Sequence, residues 1–287
     1  MTYVIHGATG AQGAPVVSVL AAAGKPVVAL TRDPDAVVAG ARVVAAGYSS
    51  VEELTAAYRG AHGVFVHLPL DSEDNRRTYA RNVVAAVRAA RPDRVVFSTS
   101  GAVVHAPGSP VQVPADSAVA VLADGLAASG VPCAVIEPRL YLENLLLPPV
   151  VEGVRANGVL RYPLRHDFPV SWASHLDIAD VAVALFERSD VTGVVSVGQY
   201  PATTGPDLAE AFGARLGRDV AYEQSTPEDF RASHAPLIGE VPAADVANGY
   251  QALAARSDHA IPAERSAQKL LGVAPRTTGR WLADIGW

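Results

Sequence analysis

The chain has 287 residues, of which 49% are hydrophobic, so it can bury a large core in one α/β domain or in a nucleotide domain with a smaller substrate-covering part. Its formal net charge of −6 and the lack of a basic run argue against nucleic acid as a partner. The sequence contains no run of about 18 apolar residues, so it does not indicate a membrane span. The first residues are predicted to form a strand rather than a signal peptide. We therefore expect a cytoplasmic protein, monomeric or homodimeric, that acts on a small molecule.

The first 32 residues have the pattern of a dinucleotide-binding unit. An apolar run, Tyr3-Val4-Ile5, precedes a glycine-rich turn, a helical pattern that continues to Gly24, and a second apolar run, Val27-Val28-Ala29-Leu30. The first glycine allows the tight turn, the second lets backbone N–H groups approach a pyrophosphate, and the third lets the helix pack closely on the strand. The predicted cofactor-binding residues of this turn are Gly7, Thr9, Gly10, Ala11, Gln12 and Gly13.

Strands and helices are predicted to alternate along the next hundred residues. Asp33-Pro34-Asp35 is interpreted as a turn into a short helix, and Ser50 with Glu53 three residues later indicates a capped helix start. The other predicted elements are strands at 42–45, 63–67, 94–97 and 133–137, helices at 74–90 and 116–129, and a loop at 101–114. The strands are continuously apolar, as buried parallel strands are, so we predict an α/β fold with a Rossmann-type doubly wound parallel sheet.

The second half of the chain has a looser pattern. Residues 141–149 are apolar but interrupted by prolines, which suggests substrate-side structure. Ser174 is predicted to cap a helix that ends at Glu187, followed by a late strand at 193–197, helices at 207–216 and 242–255, and a last helix near Trp281. We expect a nucleotide-binding domain at 1–140 and, at 141–287, a mixed region with the late strand and a smaller helical substrate or lid part.

Several of these stretches together resemble the NmrA-like group of the atypical short-chain dehydrogenase/reductase superfamily. The matching stretches are Gly7-Ala8-Thr9-Gly10-Ala11-Gln12-Gly13, Leu30-Thr31-Arg32-Asp33-Pro34, Ser98-Thr99-Ser100-Gly101, Glu137-Pro138-Arg139 with Asn144, Asp177-Ile178-Ala179-Asp180-Val181-Ala182, and Ala274-Pro275-Arg276 before Trp281. The resemblance implies NAD(P) binding. The group includes quinone and isoflavone-type reductases, a redox-sensing regulator and biosynthetic enzymes, so the resemblance implies a fold and a cofactor more firmly than a reaction.

The end of the second strand bears on the choice of cofactor. In this fold an acidic residue there binds the ribose 2′-OH, whereas an arginine pairs with a 2′-phosphate. Arg32 stands at this position and matches the phosphate-binding position of the group that the chain resembles, so we predict NADP(H). The alternative is a solvated arginine paired with Asp33 or Asp35. Gly47-Tyr48-Ser49 stands where relatives often carry an aspartate near the adenine, so contacts to the base are expected to differ.

The proton-donor machinery of classical members of the superfamily is absent from the sequence. Those members pair a tyrosine with a lysine four residues later, but Lys269 is preceded at that distance by Arg265, and Lys25 by Ala21. The helix predicted at 116–129 also lacks the lysine of the isoflavone-reductase type. A reaction on this chain therefore needs another donor, water, or an acceptor that requires little acid catalysis, such as a quinone or another conjugated carbonyl.

Other polar or aromatic residues are candidates for the site, each with a structural alternative. Ser100 is a catalytic candidate because it follows a strand where the superfamily keeps a substrate-binding serine; the alternative is a hydroxyl that caps the strand end. His105 is a second catalytic candidate, a proton donor in the loop expected to border the nicotinamide, or else an exposed loop histidine. His67 ends the fourth strand and is a candidate contact to the cofactor ribose, or else a core histidine. Tyr141, Asn144 and Trp172 are predicted to line the substrate pocket, with Tyr141 a lesser candidate for catalysis; a structural hydrogen bond for Asn144 and core packing for Trp172 are the alternatives. No histidine and carboxylate cluster has metal-site spacing, so no metal is expected.

These observations lead to one interpretation and two alternatives. The first is an NADPH-dependent reductase of a small, apolar, conjugated carbonyl or quinone-type substrate, and a biosynthetic pathway is one setting in which it could act. The second is a non-catalytic regulator that senses NADP(H), which the missing tyrosine–lysine pair supports. The third is a non-redox biosynthetic enzyme, such as a cyclase, isomerase or dehydratase, although the intact glycine turn argues against loss of the cofactor.

Overall fold

The computed structural model describes residues 1–106 and 108–287. Its strands are β1 Thr2–His6, β2 Val27–Thr31, β3 Ala41–Ala45, β4 Ala61–His67, β5 Val95–Ser98, β6 Cys133–Pro138, β7 Leu140–Tyr141, β8 Val159–Tyr162, β9 Trp172–Ala173, β10 Gly193–Val197 and β11 Ala221–Gln224. Its α-helices are α1 Gly13–Ala22, α2 Val51–Tyr58, α3 Glu73–Ala90, α4 Ala118–Ala127, α5 Pro148–Asn157, α6 His175–Glu187, α7 Gly205–Leu216, α8 Pro227–Ile238, α9 Glu240–Ala254, α10 Ala267–Leu271 and α11 Thr278–Asp284. Short 3-10 helices span Leu142–Leu146 and Ala263–Arg265.

The chain divides into two compact units. Unit 1 comprises Met1–Pro138, His175–Val197 and Ala263–Val273, and unit 2 comprises Arg139–Ser174, Gly198–Pro262 and Ala274–Trp287. The chain therefore leaves unit 1 after β6 and returns to it twice, with α6 and β10 and then with α10.

Unit 1 is built on a seven-stranded sheet with the order β10-β6-β5-β4-β1-β2-β3, in which every neighbouring pair is parallel. The chain runs from β1 outward to β3 and then crosses to β4 on the other side of β1. Ligands bind such sheets in the crevice at the carboxyl ends of the two strands where the direction of winding reverses. The predicted Rossmann-type α/β fold is confirmed, and its crevice lies at the ends of β1 and β4.

Helices cover both faces of this sheet. On one face, α2, α3 and α4 pack against a buried cluster that includes Leu54, Val83 and Leu122 from the helices and Val4 from β1. On the other face, α1 contacts α6. Burial of both faces explains why these strands are continuously apolar in sequence rather than alternating.

Local helix signals were correct at α2 and wrong after Asp33. The Ser50 hydroxyl accepts a hydrogen bond from the backbone N–H of Glu53 at 3.2 Å, which confirms the predicted cap. The short helix predicted after Asp33 does not form, since residues 33–40 have no helical segment. Instead, Asp33 Oδ1 accepts a hydrogen bond from the backbone N–H of Asp35 at 2.9 Å. The Asp33 side chain thus takes the backbone N–H that a helix would have used.

Unit 2 holds two small parallel pairs of strands, β7 with β9 and β8 with β11, together with α5, α7, α8, α9 and α11. Its core includes the aromatic rings of Tyr162, Trp172, Phe230 and Tyr250, which meet edge to face at centroid distances of 5.1 to 5.9 Å. Within the described residues, no helix of the protein combines the length and the apolar character needed to cross a membrane.

Candidate active site

The glycine turn between β1 and α1 can be built only from glycines at two of its positions. Gly7 has a φ of +57°, and a Cβ added there would lie 2.3 Å from Nε2 of His67. A Cβ added to Gly13 would lie 2.2 Å from the carbonyl oxygen of Gly7. Real Cβ atoms do not approach so closely, so both glycines are required for the close approach of the turn, α1 and β4.

The N-terminus of α1 is open toward this turn. Gln12 is the N-cap residue, but its side chain makes no capping hydrogen bond, and the first turn of this described helix carries no acidic residue. The first backbone N–H groups of a helix have no partner within the helix, and the helix dipole adds a partial positive charge there. Of these groups, the Ala14 N–H donates to the carbonyl oxygen of Gly10 at 3.0 Å, and Pro15 has no N–H. A pyrophosphate at the turn would therefore accept a hydrogen bond from the Gly13 N–H at the start of α1.

A cavity of about 460 Å³ extends from the turn along the carboxyl ends of β1, β2 and β4. Its lining residues come from the turn, the end of β2, the segment after β3, the end of β4 and the start of α3: His6, Gly7, Thr9, Gly10, Leu30, Thr31, Arg32, Asp33, Ala46, Gly47, Tyr48, Ser49, His67, Pro69, Leu70, Asp71 and Tyr79. Of the predicted cofactor-binding residues, Gly7, Thr9, Gly10, Arg32 and His67 line this cavity. Gln12 and Gly13 are buried and Ala11 is exposed, and these three residues do not line it.

Arg32 lies exposed at this cavity with its guanidinium open. In the described part of the chain it forms no ion pair with Asp33, Asp35 or any other carboxylate. Asp33 instead bonds within its own turn. Hydrogen bonds from Asn75 and Tyr79 are the main causes that lower the pKa of Asp71, and the charge of Arg32 adds to them. The arginine thus contributes positive potential to a cavity where it has no tight partner.

Tyr48 lines the same cavity as Arg32. Its hydroxyl donates a hydrogen bond to the carbonyl oxygen of His67 at 2.5 Å, and its ring lies 4.7 Å from that of His6 and 5.6 Å from that of Tyr79. Burial raises the pKa of Tyr48, although the charge of Arg32 opposes this effect. The phenol therefore stays neutral and presents an aromatic face where the sequence had already indicated a departure from relatives.

His67 has a buried imidazole nitrogen, Nε2, that has no hydrogen-bond partner among the described residues. Burial lowers the pKa of His67, so its ring is neutral near pH 7. This nitrogen faces Gly7, and His67 itself lines the cavity at the turn. An orphaned polar atom beside a glycine cradle and an uncapped helix start fits a dinucleotide.

His6 is a cavity residue that the sequence interpretation did not identify. Its Nε2 lies 2.6 Å from the hydroxyl of Tyr58, and burial, followed by the neighbouring His67, lowers the pKa of His6 to about 3. The sequence did indicate that His6 lies near the cofactor, because His6 is the last residue of β1 and directly precedes the first glycine of the turn.

Ser100 is linked to the glycine turn by Gln12. The Gln12 side chain donates from Nε2 to Ser100 Oγ at 2.8 Å and accepts at Oε1 from the hydroxyl of Ser98 at 2.7 Å. Ser98 Oγ in turn accepts the backbone N–H of Ser100 at 3.4 Å. Ser98 and Gln12 are buried, whereas Ser100 is exposed and has a φ of +57°. Ser100 was a candidate from the sequence, whereas Ser98 was only part of a matching stretch; Ser98 is the last residue of β5, and Ser100 follows it in the turn.

His105 lies elsewhere on unit 1. Its backbone N–H donates to Glu137 Oε2 at 3.1 Å, and the residue lines a second cavity of about 580 Å³ beside α4, β6 and β10. Gln112 and Asp124 also line this second cavity, but no residue of the glycine turn does. The structure therefore does not bring His105 to the cavity at the turn.

The three predicted substrate-binding residues of unit 2 lie close to its aromatic core. Tyr141 is half-buried in β7, and the side chain of Asn144 hydrogen-bonds to Tyr162. Trp172 is 1% exposed and packs with its ring 5.5 Å from that of Tyr162. Most of the Trp172 ring is thus occupied by packing, which was the alternative interpretation of this residue. Among the described residues, no group of three or more His, Cys, Asp or Glu side chains is arranged to hold a metal ion.

The fold and the glycine turn define a Rossmann-type dinucleotide-binding protein. Sequence comparison identifies the family within this class. Residues 1–257 match the sequence profile of the NmrA-like family, and the chain belongs to that family. The resemblance inferred from the motifs is confirmed. Comparison with curated protein sequences gives no match.

Solved structures share the fold at low sequence identity. An NADPH-dependent quinone oxidoreductase from Escherichia coli, complexed with NADPH, is 21% identical and superposes with a TM-score of 0.75 over 100% of both chains. A triphenylmethane reductase from Citrobacter sp., complexed with NADP(H), is 18% identical, with a TM-score of 0.78 over 98% of both chains. A nucleoside-diphosphate-sugar epimerase from Staphylococcus aureus is 18% identical, with a TM-score of 0.75 over 98% of this chain and 99% of that one.

Proposed function

We propose that the protein is an NADPH-dependent reductase of a small, apolar substrate with a conjugated carbonyl group or a quinone ring. The observation that carries the proposal is the hydrogen bond from Gln12 Nε2 to Ser100 Oγ, since it ties an exposed hydroxyl to the glycine turn. A substrate held beside this turn would meet a hydrogen-bond donor without a tyrosine–lysine pair. The neighbours that bind NADPH or NADP(H) and reduce a quinone or a triphenylmethane compound support this proposal.

Three groups of this chain would hold the cofactor. The uncapped N-terminus of α1 would bind the pyrophosphate, and the free Nε2 of His67 would bind a polar group of a ribose or phosphate. The open guanidinium of Arg32 would bind the 2′-phosphate, which favours NADPH over NADH.

The reaction balances with water as the proton source. NADPH held by the glycine turn, His67 and Arg32 would supply the hydride, and with it the two electrons that the acceptor needs. The acceptor gains this hydride and one proton from water, so that a quinone becomes a hydroquinone. The charge left on a conjugated acceptor is delocalised, which explains how the chain would work without a strong acid. Its own residues then bind, orient and hydrogen-bond the acceptor, with Ser100 as the donor to the carbonyl oxygen and Tyr141 as a second candidate.

The missing tyrosine–lysine pair also favours a second candidate function, a regulator that senses NADP(H) without turnover. Titration of the purified protein with NADPH and NADH, followed by loss of nicotinamide absorbance with benzoquinones, naphthoquinones and enones, separates the two. The reductase predicts selective NADPH binding and turnover, with lower rates for Ser100→Ala and Tyr141→Phe. Tight binding without turnover of any acceptor would replace the reductase with the sensor, and unchanged rates in both variants would remove these two residues from the site.

A further inference from the structure

The hydrogen bonds around Gln12 have a defined direction. A carboxamide oxygen only accepts and a carboxamide nitrogen only donates. Oε1 of Gln12 lies 2.7 Å from Ser98 Oγ, so the Ser98 hydroxyl donates to it. Nε2 of Gln12 lies 2.8 Å from Ser100 Oγ, so the Ser100 oxygen accepts from it. We call these three side chains the serine–glutamine chain.

The opposite orientation of the amide is unfavourable in this environment. If the amide were reversed, Ser98 Oγ would accept hydrogen bonds both from the amide nitrogen and from the backbone N–H of Ser100. Its own hydrogen would then have no acceptor, because Ser98 makes no other side-chain hydrogen bond within the described residues and is only 1% exposed. A buried hydroxyl without an acceptor costs about 1 to 3 kcal/mol, so burial of Ser98 fixes the orientation of Gln12.

The orientation of the Gln12 amide determines how the Ser100 hydroxyl can hydrogen-bond. Its oxygen already accepts a hydrogen bond from Gln12, so the hydroxyl hydrogen is directed away from Gln12 and outward from an exposed side chain. The positive φ of Ser100 holds the residue in this position at the end of β5. A serine hydroxyl has one donor hydrogen and two acceptor lone pairs; Gln12 occupies one lone pair of Ser100 and leaves the hydrogen free to donate to another group.

We propose that Gln12 is a positioning residue that directs the hydroxyl hydrogen of Ser100 away from itself, so that Ser100 donates a hydrogen bond to the carbonyl oxygen of the substrate. The inference rests on the proposed reductase function. Negative charge develops on that oxygen when the acceptor is reduced, and a donor whose direction is fixed in advance stabilises it without reorganisation. Because Gln12 is also the N-cap residue of α1, the same side chain connects the donor to the turn proposed to hold the pyrophosphate.

The direction of the Gln12–Ser100 hydrogen bond can be measured without turnover. Cys133 is the only cysteine of the chain and is buried, so Cys133→Ala leaves the thiol introduced by Ser100→Cys as the sole one. A thiolate that accepts a hydrogen bond from the Gln12 amide is stabilised. We expect the pKa of the introduced thiol, from the pH dependence of its alkylation rate, to rise by about one when Gln12→Met is added. An unchanged pKa would overturn the inference, whatever the activity of the protein.

Turnover variants test the role of this direction in the reaction. We expect Ser100→Ala to lower kcat about 100-fold, and Gln12→Met or Ser98→Ala to lower it about 10-fold because a freely rotating hydroxyl donates less often. NADPH affinity should change less than kcat. Thr99→Val is the matched control, since the Thr99 hydroxyl is buried between the two serines in sequence and has no hydrogen-bond partner among the described residues.

Gln12→Glu adds a signature that a purely structural role would not produce. An ionised carboxylate would draw the hydrogens of both serines toward itself, whereas the protonated acid could again donate to Ser100. The kcat of this variant should rise as the pH falls, while the kcat of Gln12→Met should not. If the pKa of the introduced thiol responds to Gln12→Met but the unmodified protein reduces no acceptor, the reductase itself is overturned, and with it the role of Ser100 toward substrate. If the thiol responds and Ser100→Ala lowers kcat while Gln12→Met does not, the positioning role of Gln12 is wrong.

Discussion

Ser100 has a left-handed backbone conformation, with a φ of +57°, that residues other than glycine rarely adopt. Strain of this kind costs about 1 to 2 kcal/mol and persists where the surroundings enforce it. Gln12 and Ser98 supply those surroundings on one side, and Gly101, with a φ of +97°, continues the turn on the other. The residue therefore combines an unfavourable backbone with an oriented hydroxyl.

Two substitutions at Ser100 separate backbone strain from the hydrogen bond. Ser100→Ala and Ser100→Gly both remove the contact to Gln12, but only glycine relieves the positive φ. We expect Ser100→Gly to be more stable than Ser100→Ala by about 1 kcal/mol in urea unfolding. Equal stability of the two variants would show that the strain at Ser100 is negligible.

Arg32 is the residue that the proposal makes responsible for the choice of cofactor. Removing a charge-assisted contact to phosphate costs about 1.5 to 3 kcal/mol, so Arg32→Ala should weaken NADPH binding about 10-fold or more. NADH lacks the 2′-phosphate, and its affinity should change by less than about two-fold. Fluorescence titration of both nucleotides measures this difference.

Arg42→Ala serves as the control for charge, because Arg42 is exposed on β3 but does not line the cavity at the turn. It should leave both affinities unchanged. Equal weakening of NADPH and NADH by Arg32→Ala would contradict the assignment of Arg32 to the 2′-phosphate.

At the scale of elements, α1 depends on the glycine at its first position. Alanine normally favours a helix over glycine, yet a Cβ at Gly13 would lie 2.2 Å from the Gly7 oxygen and 2.5 Å from the His6 oxygen. Both atoms belong to the backbone, which cannot move aside as a flexible side chain would. Close packing of α1 on β1 thus overrides helix propensity at this position.

Gly13→Ala should therefore destabilise the protein by about 3 kcal/mol and abolish NADPH binding. Gly249→Ala is the matched change, since Gly249 lies inside α9 with nothing within 4 Å of an added Cβ. It should stabilise the protein by about 0.5 to 1 kcal/mol. Thermal unfolding and nucleotide titration of both variants test the prediction, and NADPH binding by Gly13→Ala would refute the close-approach argument.

At the scale of the whole molecule, buried neutral histidines occur in both units. Burial lowers the pKa of His6 in unit 1 and of His259 in unit 2 to about 3 in each case, from an ordinary value of 6.5. Neighbouring charge adds to burial, from His67 for His6 and from Arg139 and Arg256 for His259, while Asp258 opposes it. The folded protein therefore binds fewer protons at these sites than the unfolded chain does between about pH 3 and 6.5.

The free energy of unfolding should consequently fall as the pH falls below 6.5, by up to about 1.4 kcal/mol per pH unit for each such histidine. Above pH 6.5 both states are neutral at these residues, and this contribution to the pH dependence vanishes. Urea unfolding between pH 7 and about pH 4 measures the slope. His6→Gln and His259→Gln should each reduce it. Equal slopes in all the variants would exclude the buried histidines as the cause.

Local spacing in the sequence determined much of the fold and part of the site. The glycine turn, the continuously apolar strands, the Ser50 cap and the helix from His175 to Glu187 are encoded within a few residues, and the structure has all of them. Local rules failed where a side chain satisfied a turn, as at Asp33, or where prolines began a helix rather than ending one. Pro148 and Pro149 open α5, because the first turn of a helix needs no N–H donors inside the helix.

Only the tertiary structure decided which of the candidate residues meet. Gln12 contacts Ser98 and Ser100 across 86 and 88 residues of sequence, and the parallel order of β1, β4 and β5 brings their carboxyl ends to one edge of the sheet. The same order leaves His105 at a different cavity. Periodicity and motif spacing report interactions within a few residues, whereas hydrogen-bond direction, burial of a hydroxyl and an unpaired guanidinium depend on contacts between distant segments. Those contacts are what turn a nucleotide-binding sequence pattern into a specific proposal for the chemistry.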